Sequence, residues 1–427
     1  MTPTQATQLP EVLRFFDPRR RLTDELLTHW FIERDESPRQ SLRVVLEYTP
    51  ERQKVLFVGH RGSGKTTELT KLASELRNQY ESIGFDILDI TGRTTINYQD
   101  LLLALSTQVT LHAIGIAATN QPLLLAAEDR WREIREWWAN LVAGGVSLSA
   151  VDEANVALSL KTMLAEIQLG VKQSSGARNQ IGREVDLRVS ELIGHLDWVC
   201  QQIEISTTRR VLIIVEGLDK LDDGAARDVF LEHAATLTAP QMATIIYSFP
   251  ISLRYTDAYR TICLSFNDQV FYFPNIAQRH HDRSENLKNM ASLRELVLRR
   301  MRSELIAPEA LDYLIASNGG VPSWLVRLVQ KAATYALTRS AQATRIEIAD
   351  AQRAVRDIRR EIQAPLTREE LGVLRQRHRD RQLINDPAES SLLRKGALID
   401  YANGEVWADA HPALWALLET AEDDQQP

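Results

Sequence analysis

The chain has 427 residues, 44% of them hydrophobic and 25% charged, with a formal net charge of −7. That length exceeds what one hydrophobic core organises, so two or three domains are expected, and the negative balance excludes a global attraction to nucleic acid or anionic membrane. Two cysteines, Cys200 and Cys263, are too few and too far apart for a disulfide framework or a zinc motif, which makes a reducing cytoplasm the expected compartment.

Residues 1–50 read as a helical segment, with Leu22, Leu26, Leu27, Trp30 and Phe31 on one apolar face. They carry no catalytic constellation and are expected to brace the next domain. The opening Met1-Thr2-Pro3-Thr4-Gln5 lacks the basic and apolar regions of a signal peptide.

Residues 51–285 begin with the apolar, β-branched run Val55-Leu56-Phe57-Val58, which reads as a buried strand. Gly59-His60-Arg61-Gly62-Ser63-Gly64-Lys65-Thr66-Thr67 comes next, and then Leu69, Leu72, Ala73 and Leu76 mark one face of a helix. A glycine-rich loop between a strand and a helix is the context that the phosphate-binding motif G-x-x-x-x-G-K-[ST] requires. Gly59, Gly62 and Gly64 let the backbone turn inward, so that N–H groups of the loop, Ser63 and Thr67 included, form an anion nest at a helix N-terminus. Lys65 can then reach the outer phosphates and the Thr66 hydroxyl a Mg²⁺ ion.

A second strand is expected over Phe85–Ile90 and a helix from about Asp100, an alternation that implies a parallel sheet. The uncharged stretch Leu101–Ala127 is long enough to span a bilayer, but Ser106, Thr107, Gln108, Thr110, His112, Thr119 and Asn120 interrupt it, so a buried core helix is expected instead. Around Gly144–Ala150 the pattern weakens, and a helical insertion of about 145–206, broken at Ser174-Ser175-Gly176, separates the second and third strands. It reads as a spacer or as a partner-binding or oligomerisation arm.

Val211–Val215 is the third strand, ending in Glu216-Gly217-Leu218-Asp219. An acid at that tip is placed to hold Mg²⁺, and Asp219 to orient or deprotonate an attacking water. Ala243–Ser248 is the fourth strand; Ser248 either senses a terminal phosphate or caps the turn before Pro250. Val270–Phe273 is the fifth.

Residues 286–350 read as a helical lid. Within it Asn318-Gly319-Gly320-Val321-Pro322 is a turn that lets backbone approach a flat ring, with Pro322 offered to adenine, or else a plain helix start with Ser323 as N-cap. In residues 351–427, Thr367 and Glu370 form a capping box, Pro387–Lys395 reads as a helix stopped by Gly396, and Asn403-Gly404 marks a hairpin. Helices before a hairpin suggest a winged-helix module, and the acidic end from Glu419 is expected to be disordered.

Together these motifs resemble the P-loop ATPases of the AAA+ and STAND groups, NACHT and Orc/Cdc6 proteins among them. Glu216-Gly217-Leu218-Asp219 is similar to the NACHT Asp-Gly-x-Asp, with glutamate first, and Gly320-Val321-Pro322 to the STAND Gly-x-Pro. Where STAND proteins carry an arginine after the fourth strand, Phe249-Pro250 stands here and Arg254 is the candidate. The resemblance implies an α/β P-loop NTPase core with a helical lid and a small winged helix, acting as a cytoplasmic, ATP-driven switch. Lys65, Glu216, Asp219 and Ser248 would serve catalysis, Thr66 and Glu216 would hold Mg²⁺, and Gly320 and Pro322 would meet adenine.

Such a switch has three possible destinations. One is a bacterial signalling or defence ATPase that assembles into a homo-oligomer and recruits a protein effector. The second is a DNA-associated ATPase of initiator or transposition-regulator type, using the winged helix and Arg375, Arg377, Arg379 and Arg381. The third is a nucleotide-binding scaffold in which Glu216, one methylene longer than Asp, limits hydrolysis.

Overall fold

Five strands pair into one parallel sheet in the order β2-β3-β4-β1-β5. They are β1 (Lys54–Val58), β2 (Tyr80–Asp86), β3 (Arg210–Glu216), β4 (Ala243–Phe249) and β5 (Val270–Tyr272). The computed structural model describes residues 5–119, 128–142, 156–403 and 405–423. Every residue of β1 and β4 is buried, as the continuous apolar runs of a sheet covered on both faces require. Register places Val58 beside Phe249 and Asp86 beside Glu216, so the carboxyl ends of the strands share one edge, where ligands bind in such sheets.

The second strand lies earlier than the expected Phe85–Ile90. It ends at Asp86, whose Oδ1 accepts the Leu88 N–H at 2.9 Å and caps a short helix, Ile87–Thr91. The apolar residues Ile87, Leu88 and Ile90 therefore wind rather than extend, and Gly92, at φ +70°, ends the turn.

Much of the uncharged stretch forms the helix Tyr98–Thr119, and residues 120–127 lie outside the described residues. Leu101, Leu102, Leu105, Val109 and Ala113 are fully buried against the protein core. Two of its hydroxyls are satisfied within the protein: Thr110 Oγ1 donates to Ser106 O at 2.7 Å, and Thr107 Oγ1 accepts from Gln168 Nε2 at 3.0 Å. No described helix is long and apolar enough to cross a membrane.

The insertion is helical over Glu128–Val142, Val156–Gln173, Ser175–Leu187 and Val189–Thr207, while Gly144–Ala150 falls outside the described residues. Ser174 caps the third of these helices by accepting the Ala177 N–H.

After β5 come the helices Leu287–Leu298, Pro308–Ser317, Pro322–Arg339 and Ile348–Gln363, at the position expected for a lid. The helices Arg368–Asp380 and Pro387–Lys395 are next, then a hairpin of β6 (Leu398–Asn403) and β7 (Glu405–Ala410). The capping box forms as expected, with Glu370 N donating to Thr367 Oγ1 at 3.1 Å and Thr367 N to Glu370 Oε2 at 2.8 Å. Gly396 closes its helix at φ +69°; Gly404 lies outside the described residues. Of the acidic end expected to be disordered from Glu419, residues 419–423 belong to the helix Trp415–Asp423, and 424–427 lie outside the described residues. The N-terminal segment packs on the helices that follow β5: Ala6 bridges Met301, and Gln330 Nε2 donates to Leu13 O.

Candidate functional site

The loop Gly59–Thr67 leaves the end of β1 and runs into the helix Lys65–Leu76. Gly62 (φ +87°) and Gly64 (φ +102°) take left-handed conformations that other residues resist. The first turn of a helix leaves its N–H groups without intrahelical partners, and here that turn comprises Lys65, Thr66 and Thr67. Ser63 is fully buried, and its Oγ has no hydrogen-bond partner.

Lys65 has all three ammonium hydrogens engaged. Nζ lies 2.7 Å from Gly59 O, 2.8 Å from His60 O and 2.8 Å from Asp219 Oδ2. Burial alone would raise the Asp219 carboxyl, but the charge and hydrogen bond of Lys65, with Lys220 beyond, outweigh it and hold the group below its ordinary value.

The structure brings the acid at the tip of β3 to the loop: Thr66 Oγ1 donates to Glu216 Oε2 at 2.5 Å. Burial pushes the Glu216 carboxyl up, and Asp86 and Asp219 add to the push against the Thr66 hydrogen bond and Arg21. Sequence reasoning misses Asp86, because the expected second strand runs past it. Asp86 is held by Lys220 Nζ at 2.8 Å and Arg21 at 3.5 Å. Gly217 (φ +85°) allows the close packing, since a Cβ there would sit 2.1 Å from Asp86 Oδ1. A hydroxyl hydrogen-bonded to a partly buried carboxylate offers oxygen donors of the kind that suit a hard divalent cation.

Ser248 lies at the end of β4, almost fully buried, where its Oγ accepts the Leu218 N–H at 3.1 Å. It thus ties the Glu216–Asp219 turn to the neighbouring strand rather than capping the turn before Pro250.

Val321 and Ser323, the neighbours of the expected adenine contacts Gly320 and Pro322, lie against the loop. Ser323 N donates to Gly62 O at 3.1 Å, and a Cβ on Gly62 would meet Ser323 Oγ at 1.9 Å. The helix begins at Pro322 with Val321 as its N-cap, so Ser323 is not the cap. Gly320 (φ +71°) exchanges backbone contact with Ile276, whose N–H donates to Gly320 O at 2.9 Å. Arg254 stacks on Tyr272, its guanidinium carbon 3.7 Å from the ring centroid.

Arg34 also escapes sequence reasoning. Its Nη1 donates to Ser63 O at 2.9 Å, it reaches Pro274 O, and it lies 4.2 Å over the Phe273 ring. Burial pushes its pKa down to about 10, and among the described residues no carboxylate lies within ion-pair distance. It stays charged at neutral pH, so a desolvated cation sits beside the phosphate loop. The only signal is the Arg itself, one of several in residues 1–50.

Two arginines of the run Arg375–Arg381 are taken up inside the protein. Arg377 is buried against Glu389 at 3.0 Å and Asp380 at 2.8 Å, and Arg381 against Asp409 at 3.0 Å.

A glycine-rich loop after the first strand of a parallel sheet, with a strand-tip acid on its hydroxyl, is the arrangement of the P-loop NTPase fold. No family model matches the chain, and no curated relative does. Solved structures similar to it over nearly full length include Cdc6p from Pyrobaculum aerophilum (12% identity, 97% of this chain and 98% of that one, TM-score 0.42). Others are a Walker-type ATPase of Pyrococcus abyssi (13%, 95% and 99%, 0.45) and the Thermotoga maritima RuvB Holliday junction branch migration motor (12%, 95% and 98%, 0.36).

Proposed function

We propose that the chain binds ATP and hydrolyses it, and that the bound nucleotide sets how the lid and the C-terminal, winged-helix-like module sit on the core. The observation that carries the reading is the meeting of Lys65, Thr66, Glu216 and Asp219 at one end of the sheet, under the first turn of the lid helix. Thr66 and Glu216 would hold Mg²⁺, which when bound neutralises phosphate charge. Gly320 and Pro322 would meet the adenine, and the loop amides with Lys65 would take the phosphates.

An arriving phosphate is a stronger anion for Lys65 than a carboxylate that it can displace. Lys65 then turns from Asp219, and the freed carboxylate accepts the proton of the attacking water. The water oxygen bonds to the terminal phosphorus as the bond to the bridging oxygen breaks. Ser248 positions Asp219 by fixing its turn. A partner protein, a homo-oligomeric state and a cytoplasmic signalling or defence role are supported by the motif resemblance alone.

The test is Lys65→Ala. It removes charge-assisted contacts, and ATP affinity is expected to fall about 10- to 150-fold. Unchanged binding in a titration would refute the site.

A further inference from the structure

Asp400, in β6 of the C-terminal hairpin, is fully buried against the NTPase core rather than within its own module. Four core residues from three segments hold it. His60, inside the phosphate loop, accepts the Asp400 backbone N–H on Nε2 at 3.1 Å, and the same nitrogen lies 2.8 Å from Asp400 Oδ1. Tyr255 and Tyr272 donate their hydroxyls to Oδ2 at 2.7 and 2.8 Å. Asn275 Nδ2 donates to Asp400 O at 3.1 Å. Around it Tyr401 OH donates to Gly319 O at 2.9 Å, so the same strand also covers the lid turn.

A desolvated carboxylate is tolerated only while its partners are all in place, and removing one leaves a buried charge uncompensated. The contact is therefore close to all-or-none: the strand is seated with its donors, or it is off the core and hydrated. Burial would raise the Asp400 carboxyl, yet His60, Tyr255 and Arg254 together hold it below its ordinary value, in keeping with a seated anion.

His60 links this seat to Lys65. The His60 carbonyl accepts one of the three Lys65 hydrogens, and Gly59 O and Asp219 take the others. A phosphate at Lys65 must take at least one of these donors. Since His60 carries the Lys65 contact on its backbone and the Asp400 contact on its ring, any shift in one bears on the other.

We propose that Asp400 is a pin that seats the C-terminal hairpin on the phosphate loop through His60, and that filling the loop with a nucleoside triphosphate loosens it. The first half stands on the contacts alone; the second rests on the reading of the loop as a nucleotide site.

The test uses the full chain with dyes at Arg260→Cys and Val406→Cys, both exposed, Cys200 and Cys263 being buried. Single-molecule energy transfer then reports the separation of core and hairpin. Asp400→Asn keeps the shape and removes the charge, and its ratio of open to seated molecules is expected to rise about tenfold or more. Tyr255→Phe combined with Tyr272→Phe removes only two hydroxyls and is expected to raise it several-fold. The double variant decides the matter should Asp400→Asn not fold; a wild-type ratio in the folded variants overturns the pin. In the wild type, a non-hydrolysable ATP analogue is expected to raise the open fraction. Binding of the analogue, measured separately by titration, with no change or a shift toward the seated state overturns the coupling. No binding at all overturns both the coupling and the ATP reading, while the nucleotide-free comparison still judges the pin.

Discussion

Glu216 reaches to 2.5 Å from Thr66 Oγ1 with the full length of a glutamate side chain. Shortening it by one methylene withdraws the carboxylate, so, on the proposed ATPase reading, Glu216→Asp is expected to lower phosphate release; a faster rate would show that side-chain length limits hydrolysis in the natural protein. The raised Glu216 carboxyl has a second consequence. An acid whose folded value lies above its ordinary 4.5 is stabilised by its proton, so the nucleotide-free protein loses stability as pH rises through that region. Glu216→Gln removes this penalty. Calorimetry without nucleotide at neutral pH is expected to show a higher midpoint than the wild type, while turnover falls by about a hundredfold or more. Arg34→Ala leaves the Ser63 carbonyl without its buried donor, and a stability loss of about 1–3 kcal/mol is expected in chemical denaturation.

At the scale of elements, the turns carry the strain. A Cβ on Gly320 would sit 2.0 Å from Ile276 O at a φ of +71°. Gly320→Ala is expected to cost about 1–3 kcal/mol and to loosen the lid turn, seen as faster amide exchange over 318–323. Glu370, drawn down to about 2 against its own burial by Lys395, Thr367 and Ser391, contributes stability above its ordinary 4.5 that is lost as pH falls toward 2. Acid titration of the midpoint is expected to fall less steeply in Glu370→Gln. These capping and strand-tip residues are legible in the sequence because each signal is local: Thr367 and Glu370 are three apart, and Glu216 ends an apolar run. Asp86 is not legible, because Phe85–Ile90 is apolar enough for either a strand or a strand running into a helix. Arg34 on Ser63 and Asp400 on His60 join residues 29 and 340 positions apart, and no spacing rule reaches that far.

For the whole molecule, the arginine run bears on partners. Arg377 and Arg381 are spent on Glu389, Asp380 and Asp409, so they hold the two helices and hairpin together. Arg377→Ala strands Glu389 without its guanidinium and is expected to cost about 3–5 kcal/mol, read as early melting of the C-terminal module. Duplex DNA is expected to bind weakly, with a shallow dependence on salt, because few of these cations are free to displace counterions. A steep salt slope would instead direct attention to the DNA-associated destination.

The sheet order also governs when the phosphate loop can exist. β1 pairs only with β4 and β5, so Val55 waits for Ile246 and Leu56 for Val270. During synthesis an apolar strand and its glycine-rich turn emerge long before either neighbour has been translated. Until then the nascent segment has no ladder to join and is a natural client for a chaperone. Folding of this part must be late and slow, because so much chain has to be closed into a loop first. Truncations ending before β4 are accordingly expected to yield aggregates rather than a small, functional nucleotide-binding fragment.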